Sequence, residues 1–145
     1  MQVRRQRAFS SLRWQATCFT DGNMETQPEL RLGKRILLVD DERAVRDLIR
    51  QLLRCDEHTV VEANNGAEAL RLFSQDQFDV VLTDCFMPFV KGTELAASIR
   101  RLSPSQPILM ITGYGLRPGP LNPVDAVLRK PFGLGELRSA LAEVL

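Results

Sequence analysis

The sequence predicts an α/β fold: a single doubly wound domain whose five-stranded parallel sheet has the order 2-1-3-4-5, with helices on both faces. Three observations lead there. Runs such as Ile36-Leu37-Leu38-Val39 and Ile108-Leu109-Met110-Ile111 are apolar without alternation, the pattern of strands covered on both faces. Segments of helical period separate these runs in regular succession. Right-handed crossovers between parallel strands then distribute the helices over the two faces.

The elements follow in order. Arg35 to Asp40 is an apolar strand that ends in acid. A helix over about 42–54 carries Ala44, Val45, Leu48, Ile49, Leu52 and Leu53 along one face. Asp41 and Glu42 stand at its start, where the helix dipole favours negative charge. Thr59 to Glu62 is a short strand, Asn65-Gly66 a turn, and Ala67 to Ser74 a helix. Asp79 to Asp84 is a second buried strand ending in acid. Gly92 to Leu102 is a helix and Ile108 to Thr112 a strand. The stretch Gly113 to Asp125 holds three prolines and three glycines where a fourth crossover helix belongs, so a short or irregular crossover is expected. Ala126 to Arg129 is the fifth strand, and Gly135 to Leu145 closes the chain as a helix.

At 145 residues the chain fits one domain. Residues 1–33 read as a flexible basic leader or linker, with five basic and three acidic residues, and residues 34–145 as the domain, with fourteen and fifteen. So balanced a domain gives no reason to expect direct nucleic-acid binding. No apolar run approaches the roughly 20 residues of a membrane span. Cys18, Cys55 and Cys85 are too few and too scattered for a disulfide framework or a CxxC metal site, and a cytoplasmic location is the natural expectation. His58, the one histidine, excludes multi-histidine metal centres and is expected to cap a loop.

Function in an open α/β sheet gathers at the carboxyl ends of the strands. Here those ends carry Asp40 and Asp41 after the first strand, Asp84 at the third, Thr112 at the fourth and Lys130 after the fifth. With strand order 2-1-3-4-5, three carboxylates meet at one rim. Like charges so close raise one another's pKa. Mg²⁺ relieves that repulsion, since it takes oxygen ligands and needs only one or two protein carboxylates. A hydroxyl and an ammonium opposite the metal suit the oxygens of a phosphoryl group, and an aspartate can accept that group as an acyl phosphate.

These residues resemble the receiver domain of two-component response regulators. Leu37-Leu38-Val39-Asp40-Asp41-Glu42 is similar to the family's acidic-pair motif. Asp84-Cys85-Phe86-Met87-Pro88, with Gly92, is similar to the motif around its phosphoacceptor. Thr112-Gly113 resembles the switch hydroxyl and its small neighbour, and Lys130-Pro131-Phe132 the lysine–proline signature, whose proline commonly follows a cis bond. The resemblance implies that Asp84 takes a phosphoryl group from a histidine kinase or histidine phosphotransfer protein. It implies that Asp41, Asp84 and the Phe86 carbonyl ligate Mg²⁺, with Asp40 acting through water. Lys130 would pair with the phosphoryl oxygens and Thr112 would move to bond them. A homodimer through the last two strand–helix units is a further partner that the resemblance offers. Such a chain is a signalling phosphoacceptor in a phosphorelay rather than an enzyme, and it is free-standing, a phosphoryl sink, or the receiver of a hybrid histidine kinase.

Three positions depart from the pattern or modulate it. Val127 stands where the family usually has a rotating aromatic residue, and a stiff valine cannot make that swing. Phe86 and Tyr114 border the phosphate site, where large rings would slow hydrolysis of the acyl phosphate. Cys85 is expected to point away from the site and pack; Met87, Phe89 and Val90 are expected to combine loop packing with partial exposure. Two other readings compete. A pseudo-receiver would bind protein partners without phosphorylation, against which the intact acids, Thr112 and Lys130 count. An aspartate-based phosphohydrolase of the haloacid dehalogenase type needs Asp-x-Asp, whereas the stretch reads Asp40-Asp41-Glu42.

Overall fold

The computed structural model describes residues 33–113 and 122–145. Most of the leader, and residues 114–121 of the fourth crossover with Tyr114, lie outside the described residues. Five strands form one sheet: β1 (Arg35–Val39), β2 (Thr59–Ala63), β3 (Val80–Asp84), β4 (Ile108–Thr112) and β5 (Ala126–Arg129). All neighbouring pairs are parallel and the order is β2-β1-β3-β4-β5, as the sequence predicts. The helices are α1 (Arg43–Arg54), α2 (Gly66–Gln75), α3 (Gly92–Leu102) and α4 (Leu134–Val144). None of them is long and apolar enough to cross a membrane.

Alternate residues of each strand feed two cores. Ile36, Leu38, Val80, Leu82, Leu109 and Ile111 face α1 and α4, which contribute Ile49, Leu52, Leu53, Leu137 and Leu141. Leu37, Val39, Val81, Ile108 and Met110 face α2 and α3, which contribute Ala69, Leu95, Ala96 and Ile99. A helix layer on each face is why the central strands show no polar alternation. Burying such residues is the main stabilising term, at about 1.5–3 kcal/mol for each large apolar side chain.

Local chemistry sets the element ends, and it corrects several expected boundaries. Asp40 lies beyond the end of β1, and α1 begins only at Arg43. Ala44 is exposed, so the inward face of α1 starts at Val45. Asn65-Gly66 is a helix start instead of a free turn. The Asn65 side chain accepts the Glu68 N–H at 2.8 Å, and the Glu68 carboxylate accepts the Asn64 N–H at 2.9 Å. The first bond satisfies a donor that a helix N-terminus leaves open, and the second ties the residue before the cap to the first turn of α2. The expected irregular crossover is described at Gly113 and at residues 122–125, which carry neither helix nor strand.

His58 is buried and its Nδ1 accepts the Lys34 N–H at 3.0 Å, tying the loop after α1 to the start of β1. Burial holds its pKa below the ordinary value. Beside it, Arg138 of α4 makes a two-pronged bond to Asp56, with Nε–Oδ2 at 2.8 Å and a terminal nitrogen to Oδ1 at 2.6 Å. At the far edge Arg100 of α3 donates to the Pro104, Gln106 and Pro123 carbonyls and to the Asp125 carboxylate, anchoring the segment that enters β5.

Gly92 opens α3 against the end of β3. Its N–H donates to the Cys85 carbonyl at 2.9 Å, and a Cβ there would stand 2.1 Å from the Asp84 carbonyl oxygen. Backbone cannot yield as a flexible side chain does, so only glycine fits. Gly92→Ala is expected to lower the unfolding free energy by about 2–3 kcal/mol, as overpacking does, measured by urea denaturation; a loss under about 0.5 kcal/mol, the scale of a neutral surface change, would contradict the close approach.

Candidate functional site

The sheet order brings β1 and β3 side by side, in register at Val39↔Thr83. The residues just beyond this pairing therefore share a rim. Asp40, Asp41 and Asp84 each offer a carboxylate oxygen there, and the three atoms lie within 4.8 Å of one another. Asp40 and Asp84 are buried; Asp41 is exposed. Lys130 reaches in from the end of β5, with Nζ 3.0 Å from Asp84 Oδ1 and 3.7 Å from Asp40 Oδ2. The Lys130 backbone N–H donates to the Thr112 carbonyl at 2.8 Å, so the β4 pairing places the lysine. Its bond to Pro131 is cis, as the lysine–proline resemblance implies.

Asp40 is held at several points. Its N–H donates to the Ala63 carbonyl at 3.2 Å, and its Oδ1 accepts the Glu42 N–H at 2.8 Å. Glu42 is the residue directly before α1, so this bond fixes the turn that leads from the acid pair into the helix. Oδ2 of Asp40 is buried and has no hydrogen-bond donor among the described residues, though Lys130 stands nearby.

The electrostatics show what the lysine leaves uncompensated. Burial pushes the Asp40 carboxyl up to about 6, with Asp84 and Asp41 adding to the rise; the Glu42 N–H and Lys130 oppose it. Burial also raises Asp84, again against Lys130. Burial works against the Lys130 ammonium, but the Asp84 and Asp40 carboxylates outweigh it and hold its pKa above the ordinary value. One cation among three carboxylates therefore does not settle the charge. Close carboxylate oxygens and a buried oxygen without a donor fit a hard divalent cation, which takes oxygen ligands.

The predicted residues divide in their placement. Asp40, Asp41, Asp84 and Lys130 come together. Thr112 is fully buried at the end of β4 and hydrogen-bonds with the Cys85 side chain. Cys85 packs into the α2–α3 core as expected, and burial pushes its thiol up, aided by the Asp84 charge and opposed by that Thr112 bond. It is thus a neighbour of Thr112, a contact that pointing away did not anticipate. Phe86 is exposed on the loop after β3. Met87 is buried and Val90 half-buried, but Phe89 is fully exposed with φ +70°, which corrects the expectation of partial packing. Val127 is half-buried against the α2–α3 core.

Sequence reasoning missed Arg46 of α1, which donates to the Asp40 carbonyl at 2.6 Å. The available signal was its place early in α1, since helical side chains tilt back toward the N-terminus and so toward the end of β1.

The model of the response regulator receiver domain matches residues 36–142. Response regulator MprA of Mycobacterium ulcerans is 36% identical over 122 residues, 79% of this chain and 51% of the relative. Its counterpart in Mycobacterium leprae is 36% identical over 119 residues, 77% and 50% of the respective chains. The chain thus spans about half the length of the curated relatives it matches. Response regulator protein TrrA of Thermotoga maritima, solved in complex with Mg²⁺-BeF, superposes with a TM-score of 0.73 at 33% identity, covering 77% of this chain and 99% of that one. TrrA has also been solved in complex with histidine kinase ThkA (TM-score 0.71, 33% identity, 77% and 98% covered). The receiver domain of a sensor histidine kinase of Pseudomonas aeruginosa, with magnesium in its active-site cleft, gives 0.70 at 28% identity, covering 77% and 97%.

The raised Asp40 carboxyl carries a pH signature. Between its unfolded value near 3.8 and its folded value of about 6 the folded chain binds more protons, so this group's contribution to stability falls as pH rises through that window. In EDTA, the unfolding free energy of the parent relative to Asp40→Asn is expected to drop by up to about 3 kcal/mol from pH 4 to pH 7, two pKa units being worth that much. A flat difference across the range would contradict the buried acid cluster.

Proposed function

Because the chain belongs to the response regulator receiver family, we propose that Asp84 accepts a phosphoryl group and that the domain relays it as a conformational signal. The observation that carries this reading is the acid trio at one rim with Lys130 bonded to Asp84. A carboxylate fixed at a strand end, with an ammonium at 3.0 Å, has an oriented oxygen and a cation beside it for incoming phosphoryl oxygens.

The donor in this proposal is a phosphohistidine on a histidine kinase or histidine phosphotransfer protein, the kind of partner seen in the ThkA complex of the related TrrA. An Asp84 oxygen bonds to phosphorus as the phosphorus–nitrogen bond breaks, and the bonding pair leaves with the imidazole. Asp41, Asp84 and the Phe86 carbonyl would hold Mg²⁺, with Asp40 acting through water; the ion would neutralise phosphoryl oxygens and lower carboxylate repulsion. Lys130 bonds the arriving oxygens. Thr112 is positioned at the end of β4 to turn toward them, exchanging its bond with Cys85 for one to the phosphoryl group. The product carries nearly two added negative charges and three strong acceptors, enough to reorder adjoining loops. In this reading residues 34–145 are the receiver, and a cytoplasmic phosphorelay is its setting.

Incubation with acetyl phosphate and Mg²⁺, read by intact mass, tests the proposal. The parent is expected to gain about 80 Da, the mass of one phosphoryl group, and to lose that gain in EDTA or in Asp84→Asn. Equal incorporation in Asp84→Asn would overturn the assignment of the acceptor.

A further inference from the structure

Arg46 does not belong to any motif that carried the family resemblance, yet it is bonded to the backbone of the acid pair. Its side chain is 14% exposed. One terminal nitrogen donates to the Asp40 carbonyl at 2.6 Å, and Nε stands 3.4 Å from Glu62 Oε1 on β2. The other Glu62 oxygen receives Arg50 at 2.9 Å, and Arg50 bonds Asp47 at 3.0 Å. Glu62 is therefore held between two guanidinium groups, which fixes its carboxylate and, through it, the direction in which Arg46 points.

The carbonyl that Arg46 grips belongs to the peptide joining Asp40 to Asp41. The Asp40 N–H and Oδ1 are engaged by Ala63 and Glu42, as described above. The Arg46 bond adds the carbonyl and so fixes the plane of the peptide that leads into Asp41. Asp41 is exposed and its aim depends on that plane more than on packing.

We propose that Arg46, aligned by Glu62, is a positioning residue for the divalent-cation site: it sets the Asp40–Asp41 peptide so that both acids face Asp84. The inference rests on the Mg²⁺ reading above. It also makes a claim opposite in sign to simple electrostatics. A guanidinium close to a cation site repels the cation, so if charge alone mattered, removing Arg46 would tighten Mg²⁺ binding. A positioning role requires that removal weaken it. Outer-shell groups that orient metal ligands typically govern about a 10- to 100-fold range of affinity or activity.

The test is titration of the ¹⁵N-labelled full chain with MgCl₂ at constant ionic strength, following amide shifts of Asp41, Asp84 and Cys85. Arg46→Ala is expected to weaken Mg²⁺ about tenfold. Arg46→Lys, which retains the charge and one donor arm but loses the fork, should fall between parent and Arg46→Ala. Glu62→Gln should weaken binding less than Arg46→Ala does. Urea unfolding in EDTA reports whether each variant is folded; should Arg46→Ala be unfolded, the comparison of parent with Arg46→Lys decides the matter. Unchanged or tighter Mg²⁺ binding in a folded Arg46→Ala, or in Arg46→Lys where that variant decides, overturns the inference and leaves the phosphoacceptor reading intact. Absence of saturable Mg²⁺ binding in the parent would overturn both, so the two failures are distinct.

Discussion

Everything at the rim follows from one constraint: the neighbouring strands β1 and β3 each run out into acid. Parallel pairing in register leaves the side chains beyond Val39 and Thr83 no choice but to meet. Two of the three carboxylates are buried, and the Asp40 carboxyl is driven up to about 6 although Lys130 stands beside it. The other rim features can be understood as answers to that strain. Lys130 supplies one positive charge, the Glu42 N–H another favourable contact, and Gly92 lets α3 begin close against Asp84. A site with unbalanced negative charge is stabilised by a cation and altered strongly by a phosphoryl group, which is what the proposed function asks of it.

Much of this was legible in the sequence, and the reason is geometric. A strand buried on both faces writes itself as an unbroken apolar run, so β1, β3 and β4 were plain from their residues. Asp40, Asp84 and Lys130 could be placed because each directly follows or ends a strand, where a shift of one residue hardly changes the end it marks. Asn65-Gly66 reads as a free turn in the sequence but caps α2, because the same two letters serve a hairpin and a helix cap. Glu68 decides between them, by a bond back to Asn64. Ala44 fits the helical period, but the first two residues of α1 are exposed and the core begins at Val45.

What the sequence could not express are contacts between distant charges. Arg138 and Asp56 are 82 positions apart, and neither has a neighbour that announces the other. The Arg100 anchor on Pro123 and Asp125, and the Arg46 grip on Asp40, depend likewise on how helices lie over the sheet. Such bonds fix where elements sit without being visible as motifs. The exposed ring of Phe89, in a left-handed backbone conformation, is similarly unreadable, since bulky residues rarely adopt it. The contact of Thr112 with Cys85 comes from parity: both residues face the α2–α3 side, whereas Asp84 shares the parity of the α1–α4 side. The proposed switch is then a hydroxyl exchanging a weak sulfur partner for a strongly accepting phosphoryl oxygen, while Val127, in the place of an aromatic ring, pairs with Met110 two residues earlier on β4.

In the proposed function, a divalent cation relieves the carboxylate repulsion at the rim. Thermal unfolding with increasing MgCl₂, set against NaCl of equal ionic strength, tests it most directly. The midpoint of the parent is expected to rise with MgCl₂ and not with NaCl, since a ligand bound by the folded state alone stabilises it. The rise should be larger in Lys130→Ala, where the cation takes over the compensation that the lysine supplied. Equal responses to the two salts in both chains would show that no divalent cation relieves the repulsion at this rim.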